Sequence, residues 1–507
     1  MGRRGLPRTP AAGAAFPGGR ELAQTVADSA RDVLHPLLVV ARGLRVLAGA
    51  ARRKWDRTPR DRRGPALLLL ASSLVIVALL PYGPTLGSAA LLAAGAWAGR
   101  ERDGGGGARG RRDAPAEEDD GRLQALYEAL VPYFSTPDDP APLYAHGGDR
   151  KTVFEQYEVD EQGRTALLRL RYPGWFTDGE EESRARIEQL LQRKAGRGRE
   201  YRFDWDEGAN RLTLTALPPL PTDLAAQPFV TAPGETVLGF TDPSAVQRML
   251  PVTDGEGVRD EPPVVWRTGQ RSTEPHLLVL GRAAAGTTTL LRSVLLQALQ
   301  HGDAVVVDGA GTGEFASLAG REGVLAVESS VPGALATLEW AARETERRLL
   351  AAGGARRAGQ PVPDDVRRPL WIVVDRPAAL AHLAAAEGCQ DPGALLEVPL
   401  RHGAAAHVTV VAGERLEGAG LLGGALVAHT AARVVLGAVQ PEEVRAVLGA
   451  APLTTPPEHV PPGRGYARLG AGPVLRLQVP AAPDPYDLDT CEAHRQAVLE
   501  LLPARIA

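Results

Sequence analysis

The sequence predicts an α/β protein built on a doubly wound, mostly parallel sheet, and three observations lead to this fold class. From about residue 230, short apolar segments alternate with longer segments of helical apolar spacing. The apolar segment at 276–280 is followed by a glycine-bounded loop and a helical pattern. The apolar segment at 371–375 ends in an acidic residue. Strands that alternate with helices form such sheets, and their ligands bind at the carboxyl ends of the strands.

The strands of this sheet are expected at 236–240, 276–280, 304–308, 371–375, 407–411, 433–436 and 475–479. Helices are expected at 287–300, 332–352, 377–387, 393–404 and 440–449, with a last one at 490–503. The strand segments are short and apolar, which is typical of strands buried on both faces. Residues 223–507 are therefore assigned to one large domain.

The N-terminal part of the chain has membrane features. Residues 1–62 form a basic region, in which 31–51 has the spacing of an amphipathic helix that lies either on a membrane surface or against protein. An apolar segment long enough to cross a bilayer follows, and then a second, Ala-rich one. Arginine clusters flank the pair, and positive charge marks the cytoplasmic side. We therefore predict a transmembrane helical hairpin at 63–100, with the bulk of the chain on the cytoplasmic side of the cell membrane.

A small α/β module is expected at 122–222, after a flexible linker at 101–121. The module has two helical patterns, a strand pair around DEQG and a hairpin pattern in YRFDWDEGANRLTLTAL. Its aromatic residues form either a small-domain core, which is the usual role, or a binding surface. These residues are Tyr172, Trp175, Phe176, Tyr201, Phe203 and Trp205.

The loop after the 276–280 segment has the spacing of a phosphate-binding P-loop, GxxxxGK[ST]. Gly281, Gly286 and Thr288 match it, whereas Thr287 stands at the lysine position. The loop amides can still attract an anion, and Thr288 can still bind magnesium. Without the lysine, a charge-assisted hydrogen bond of about 1.5–3 kcal/mol is lost, so nucleotide affinity is expected to fall by about one to two orders of magnitude. The alternative is a turn that only supports the fold.

The segment PLWIVVDRPAAL places Asp375 at the end of an apolar strand, as in a Walker B motif, where the aspartate holds magnesium. In many such motifs the next residue is a glutamate that polarises the attacking water, but here it is Arg376. An arginine cannot accept a proton at neutral pH, so a rate contribution of about 10²–10⁴ is forfeited. Asp375 is then a catalytic candidate only if the site is active.

The order and spacing of these segments resemble the FtsK/SpoIIIE family, which comprises membrane-tethered DNA motors and type VII secretion relatives of the EccC kind. The resemblance covers about 230–480 and runs through EPHLLVLGRAAAGTTTLLRSVLLQAL, VVVDGAGTGEFASLAG, PLWIVVDRPAAL and LRLQVP. It implies a RecA-like P-loop domain at 223–507, with ATP and magnesium as cofactors. It also implies homo-oligomers, hexamers in the family, or hetero-oligomers with related motor proteins.

The family's ATP-handling residues carry over only in part. Gly413 and Glu414 stand where relatives carry Thr-Gln, in which the glutamine senses phosphate, whereas Arg415 is kept. With Thr287 and Arg376, this makes three departures at three chemical positions, so the 223–507 domain is interpreted as degenerate. If nucleotide binds, magnesium would contact Thr288 and Asp375. The nucleotide itself would contact Gly281, Arg282, Gly286, Thr287, Thr288, Thr289 and Arg376.

Two functional hypotheses remain open. The first is a membrane-anchored pseudo-ATPase that acts as a scaffold or regulatory component of a DNA-translocation, cell-division or secretion machinery. The second is an active ATP-dependent DNA translocase with an atypical P-loop, in which Arg282 or Arg376 supplies the missing positive charge. The first hypothesis predicts no magnesium-dependent ATP hydrolysis above background.

Composition gives few further clues. The net charge of -4 on 507 residues shows no global sign of nucleic-acid binding. Cys389 and Cys491 fit no metal or redox spacing, so two buried or free thiols are expected. DNA remains a candidate partner through four arginines expected in the loop after the 332–352 helix, which are either DNA contacts or solvated charges. They are Arg356, Arg357, Arg367 and Arg368.

Overall fold

The computed structural model describes residues 114–506, except 196–198, 256 and 458. The predicted basic region at 1–62 and the predicted transmembrane hairpin at 63–100 lie outside these residues. Within the described part, no helix combines the length and the apolar character needed to cross a bilayer. The first helix, α1 (Ala114–Phe134), begins inside the segment predicted as a linker.

The small module combines α1 with an antiparallel sheet and a second helix. Its further elements are β1 (Phe154–Val159), β2 (Thr165–Arg171), α2 (Glu181–Ala195), β3 (Tyr201–Asp206) and β4 (Arg211–Ala216). The strands pair in the order β1-β2-β4-β3. Tyr172, Tyr201 and Phe203 are buried between the sheet and the helices, as the core interpretation predicts, and Trp175 is 43% exposed.

The large domain is organised around a ten-stranded sheet. Its strands are β5 (Glu235–Phe240), β8 (Pro263–Arg267), β9 (Leu277–Gly281), β10 (Asp303–Asp308), β11 (Val324–Glu328), β12 (Leu370–Asp375), β13 (Val408–Arg415), β14 (Ala432–Leu436), β15 (Arg464–Leu469) and β16 (Leu475–Gln478). Their order is β11-β10-β12-β13-β9-β14-β15-β16-β5-β8. The run from β11 to β14 is parallel, and the remaining pairs are antiparallel. Two further strands, β6 (Leu250–Thr253) and β7 (Val258–Glu261), pair with each other.

Helices cover both faces of this sheet, so the mixed α/β fold with a mostly parallel sheet is confirmed. They are α3 (Thr287–Ala298), α4 (Val331–Arg357), α5 (Asp364–Arg367), α6 (Pro377–Ala386), α7 (Pro392–Leu395), α8 (Glu397–His402), α9 (Gly424–His429), α10 (Pro441–Leu448) and α11 (Glu492–Leu501). The single helix predicted at 393–404 is divided into α7 and α8. Pro399 accounts for the division, since it has no N–H to donate to the carbonyl of Leu395.

The central strands are buried because their side chains are apolar on both faces. All six residues of β12 and the first seven of β13 are buried. Their Val and Ile residues suit an extended backbone. Each strand predicted for the sheet is present, but β8, β11 and β15 were not predicted. β8 and β11 lie at the sheet edges, and β15 carries the buried Arg464.

A buried ion network joins the small module to the large sheet. Glu200, just before β3, accepts hydrogen bonds from Arg464 of β15 at 2.7 Å and from Arg476 of β16 at 2.6 Å. Arg476 also donates to Asp242 at 2.8 Å. All four residues are less than a tenth exposed. Because such charges are tolerated in the interior only when paired, the network fixes the module against the sheet.

Candidate functional site

The P-loop prediction is confirmed as a strand–loop–helix unit. β9 ends at Gly281, and α3 begins at Thr287. Gly286, between them, has φ of 97°, a left-handed conformation that glycine adopts without strain. Among the described residues, the backbone N–H groups of residues 287–289 have no hydrogen-bond acceptor. These free amides at a helix N-terminus form an anion cradle.

Thr287 packs against the sheet beneath this cradle. Its hydroxyl group lies so close to Gly281 that a Cβ on that glycine would collide with it. Its methyl carbon would lie 3.1 Å from a Cβ on Gly413, which is beside it on β13. The side chain at the lysine position therefore fills the space between two glycines and brings no positive charge to the loop.

Thr288 and Asp375 lie together at the end of the sheet. The hydroxyl group of Thr288 donates to Asp375 Oδ2 at 3.1 Å, while Oδ1 has no hydrogen-bond partner among the described residues. Asp375 is 3% exposed, and burial raises the pKa of its carboxyl group to about 7, against the opposing effect of the Thr288 hydrogen bond. Hydroxyl and carboxylate oxygens are ligands that magnesium accepts. These two side chains therefore fit the magnesium that accompanies a nucleotide.

Arg376 follows Asp375 in a left-handed conformation, with φ of 59°, which is uncommon for a residue with a side chain. Its Nε donates to Glu414 Oε1 at 3.0 Å. Glu414 is 2% exposed and also accepts from the backbone N–H groups of Ala378 and Arg415, each at 2.8 Å. The side chain at the position predicted for the general base is thus bound to the side chain at the position predicted for the phosphate sensor.

Arg282, the other candidate for the missing charge, is also paired. It donates to Glu417 at 2.8 Å and to Glu443 at 2.5 Å. The hydrogen bond to Glu417 raises the pKa of Arg282 and lowers that of Glu417. Sequence reasoning missed both glutamates because they lie 135 and 161 residues from Arg282, with no local pattern to indicate them.

Thr289, predicted beside the nucleotide, contributes a free backbone N–H to the cradle. Asp308 ends β10 in register with Asp375 and accepts from the hydroxyl group of Thr312 and, at 2.6 Å, from the N–H of Gly313. Arg415 ends β13 in register with Gly281, so three arginines, Arg282, Arg376 and Arg415, lie at this end of the sheet. Five carboxylates outnumber them, which disfavours a polyphosphate. The carboxylates are Asp308, Asp375, Glu414, Glu417 and Glu443.

The expected basic loop is not a loop. α4 continues to Arg357, so Arg356 and Arg357 lie in its last turn, where positive side chains complement the helix dipole. Arg367 lies in α5 and pairs with Asp364, and Arg368 pairs with Asp303 at 2.9 Å. The loop prediction is therefore wrong, and DNA binding stays an untested prediction. Both cysteines are exposed free thiols.

No protein-family model matches this sequence, and no curated protein matches it. Similar solved structures include the pCW3 conjugation coupling protein TcpA, in monomer form with ATPγS, at 16% identity and TM-score 0.42. That similarity covers 75% of this chain and 99% of TcpA. The cytoplasmic domain of the Thermomonospora curvata type VII secretion ATPase EccC is similar at 22% identity and TM-score 0.38, over 55% of this chain and 33% of EccC.

ATPases 2 and 3 of EssC from Geobacillus thermodenitrificans are similar at 16% identity and TM-score 0.41, over 56% of this chain and 52% of that one. The chain thus spans less than two thirds of the two secretion ATPases. These neighbours are of the FtsK/SpoIIIE type that the sequence segments resemble.

Proposed function

We propose that this chain is an FtsK/SpoIIIE-like protein whose degenerate ATPase site does not hydrolyse nucleotide. It serves as a membrane-anchored scaffold or regulatory component of a DNA-translocation, cell-division or secretion machinery. The observation that carries the proposal is the Arg376–Glu414 ion pair at the end of β12 and β13. It occupies the two positions where hydrolysis needs a proton acceptor and a phosphate sensor.

The charges around the P-loop support the same proposal. Phosphoryl transfer depends on positive groups that stabilise the charge of the transferred phosphate. Thr287 brings none, and the guanidinium groups of Arg282 and Arg376 are already bound to carboxylates. A polyphosphate would have to compete with three glutamates for these two arginines. The groups that remain to hold it are the backbone amides and Arg415, which has no ion pair among the described residues. We expect weak nucleotide binding without turnover.

The resemblance of the sequence segments extends the proposal to partners and location. An assembly with copies of itself or with related motor proteins would let a silent subunit regulate active ones. The predicted hairpin at 63–100 would attach the chain to the cell membrane, with the described residues on the cytoplasmic side.

The test is magnesium-dependent ATP hydrolysis by the purified full-length chain, beside the variant Asp375→Asn. We expect both proteins to show the same background rate, because a site that does not turn over has no rate for the substitution to remove. Steady hydrolysis that Asp375→Asn abolishes would refute the proposal.

The second candidate is an active ATP-dependent DNA translocase, and one observation favours it. The Oδ1 atom of Asp375 is free, and the pKa of this carboxyl group is about 7, where it could exchange protons at neutral pH. Filter binding of duplex DNA over a salt titration separates the candidates. A translocase that contacts phosphates would lose affinity steeply with salt, whereas a protein without such contacts would bind too weakly to titrate.

A further inference from the structure

A groove of about 700 Å³ lies where the small module meets the large domain, and no P-loop residue lines it. α2 forms one side and β3 contributes Phe203 and Trp205, while the start of α10 and residues 449–456 form the other side. The α2 side extends from Glu181 to Gln192, which is about 16 Å at the helical rise. An extended peptide segment of about five residues matches this length.

The walls of the groove are already in place. The backbone N–H of Phe203 donates to the carbonyl of Leu453 at 3.1 Å, and that of Thr455 donates to the carbonyl of Tyr201 at 2.9 Å. These bonds attach residues 453–455 to the edge of β3. A ligand would therefore find a preformed site and would not have to order its walls on binding.

Both arginines that line the groove already form ion pairs with glutamates. Arg184 contacts Glu207, and its guanidinium carbon lies 5.8 Å from the ring centre of Trp205. Arg445 contacts Glu181, so this pair connects α10 directly to α2. Neither guanidinium is left over to attract an anionic ligand.

The glutamates that line the groove outnumber its arginines, and fewer of them form close ion pairs. Four glutamates line it against the two arginines. Glu442 has no ion-pair partner among the described residues, and Glu182 has one long contact, 3.8 Å to Arg186. Glu188 accepts a hydrogen bond from Trp205 at 2.8 Å. The groove therefore carries an excess of negative charge, which disfavours nucleotides and phosphorylated headgroups and favours cationic side chains.

Apolar surface accompanies this charge. Leu453, which is large and apolar, is 58% exposed, and Trp205, which is half-buried, also lines the groove. Pro441 and Pro452 add rigid apolar surface on the same side. An exposed apolar patch within a polar rim is typical of a surface that binds another polypeptide.

We propose that this groove binds a segment of a partner polypeptide in which arginine or lysine side chains alternate with apolar ones. The basic side chains pair with Glu182 and Glu442, and the apolar ones cover Leu453 and Trp205. The proposal goes beyond the function of the P-loop and does not depend on nucleotide binding.

One helix, α10, lines the groove and also carries a glutamate that pairs with Arg282 of the P-loop. Arg445 on α10 faces the groove, while Glu443, two residues earlier on the same helix, holds Arg282 of the P-loop. A peptide in the groove would therefore lie against the helix that also carries a partner of Arg282.

The test measures fluorescence anisotropy of a labelled synthetic peptide of arginine, leucine and serine with the purified full-length chain and no nucleotide. A matched peptide carries glutamate in place of each arginine. We expect the arginine peptide to bind at least about tenfold more tightly than the glutamate peptide. The double variant Glu182→Lys with Glu442→Lys is expected to weaken the arginine peptide by about tenfold, because it reverses two charges that the peptide contacts.

Two controls make the result specific. Glu500→Lys reverses one charge, as each substitution of the double variant does, but at an exposed position of α11 outside the groove, and should leave the affinity unchanged. Leu453→Ser, which keeps the charge, should weaken the arginine peptide several-fold. Equal affinity for both peptides, or affinity that the double variant leaves unchanged, would overturn the proposal. Failure here would leave the hydrolysis test untouched, since no nucleotide is present.

Discussion

Two clusters of ion pairs in this protein use the same chemistry in different surroundings. At the junction of module and sheet, Glu200 and its arginines are withdrawn from water. At the P-loop, the side chain of Arg282 is 36% exposed and that of its partner Glu417 is 56% exposed. Buried pairs cannot lose a partner without a large penalty, whereas exposed pairs exchange partners with water or ligands at little cost. The junction therefore fixes structure, and the exposed pairs of Arg282 are free to set ligand affinity.

The substitution Glu200→Gln tests whether the buried pairs at the junction stabilise the fold, and it has the largest expected effect. It leaves Arg464 and Arg476 buried without the carboxylate that both contact, so we expect the free energy of unfolding to fall by about 3–5 kcal/mol. Chemical denaturation followed by circular dichroism measures it. Glu500→Gln, at an exposed position of α11, is the matched control and should change stability by less than about 0.5 kcal/mol. A small effect at Glu200 would mean that the junction is as tolerant as the P-loop.

The pH dependence of stability tests whether Asp375, at the end of β12 beside the P-loop, behaves as a buried acid. Its folded pKa of about 7 lies above the unfolded value, so the folded state binds the proton more tightly. The free energy of unfolding should then fall as pH rises from about 4 to about 7, by about 3–4 kcal/mol for this carboxyl group. Asp375→Asn stays neutral and should lack this slope. Parallel pH profiles of the two proteins would place the Asp375 carboxylate in contact with water.

The central sheet and the P-loop could be predicted from the sequence because both follow from local patterns. Runs such as those of β9 and β12 are apolar on both faces, and the glycine spacing before α3 lies within one loop. The partners of the arginines could not be found in this way. Glu414 lies 38 residues from Arg376, and Glu443 lies 161 residues from Arg282. Only the fold brings these side chains together, so the sequence predicts which catalytic groups are missing but does not predict the carboxylates that pair with Arg282 and Arg376.

The substitution Thr287→Lys tests whether the P-loop sets ligand affinity, as the comparison of the two clusters predicts. Thr287→Lys places an ammonium group at the free amides of residues 287–289, and one charge-assisted hydrogen bond to phosphate contributes about 1.5–3 kcal/mol. We expect ATP affinity, measured by calorimetry, to rise by about ten- to a hundredfold. Thr287→Met has a similar length without the charge and should give no such gain. If Lys and Met behaved alike, the loop would not be a phosphate cradle.

The smallest effect is expected at Glu443. Glu443→Gln removes one of the two carboxylates on Arg282 while keeping the shape of α10 and a hydrogen-bond acceptor. Because the pair is partly exposed, stability should change by less than about 1 kcal/mol. Arg282 would be freer to contact phosphate, so ATP affinity should rise a few-fold, which is less than for Thr287→Lys. A loss of several kcal/mol in stability with no gain in affinity would show that this ion pair is structural. The distinction between buried structural pairs and exposed pairs would then not hold for Arg282 and Glu443.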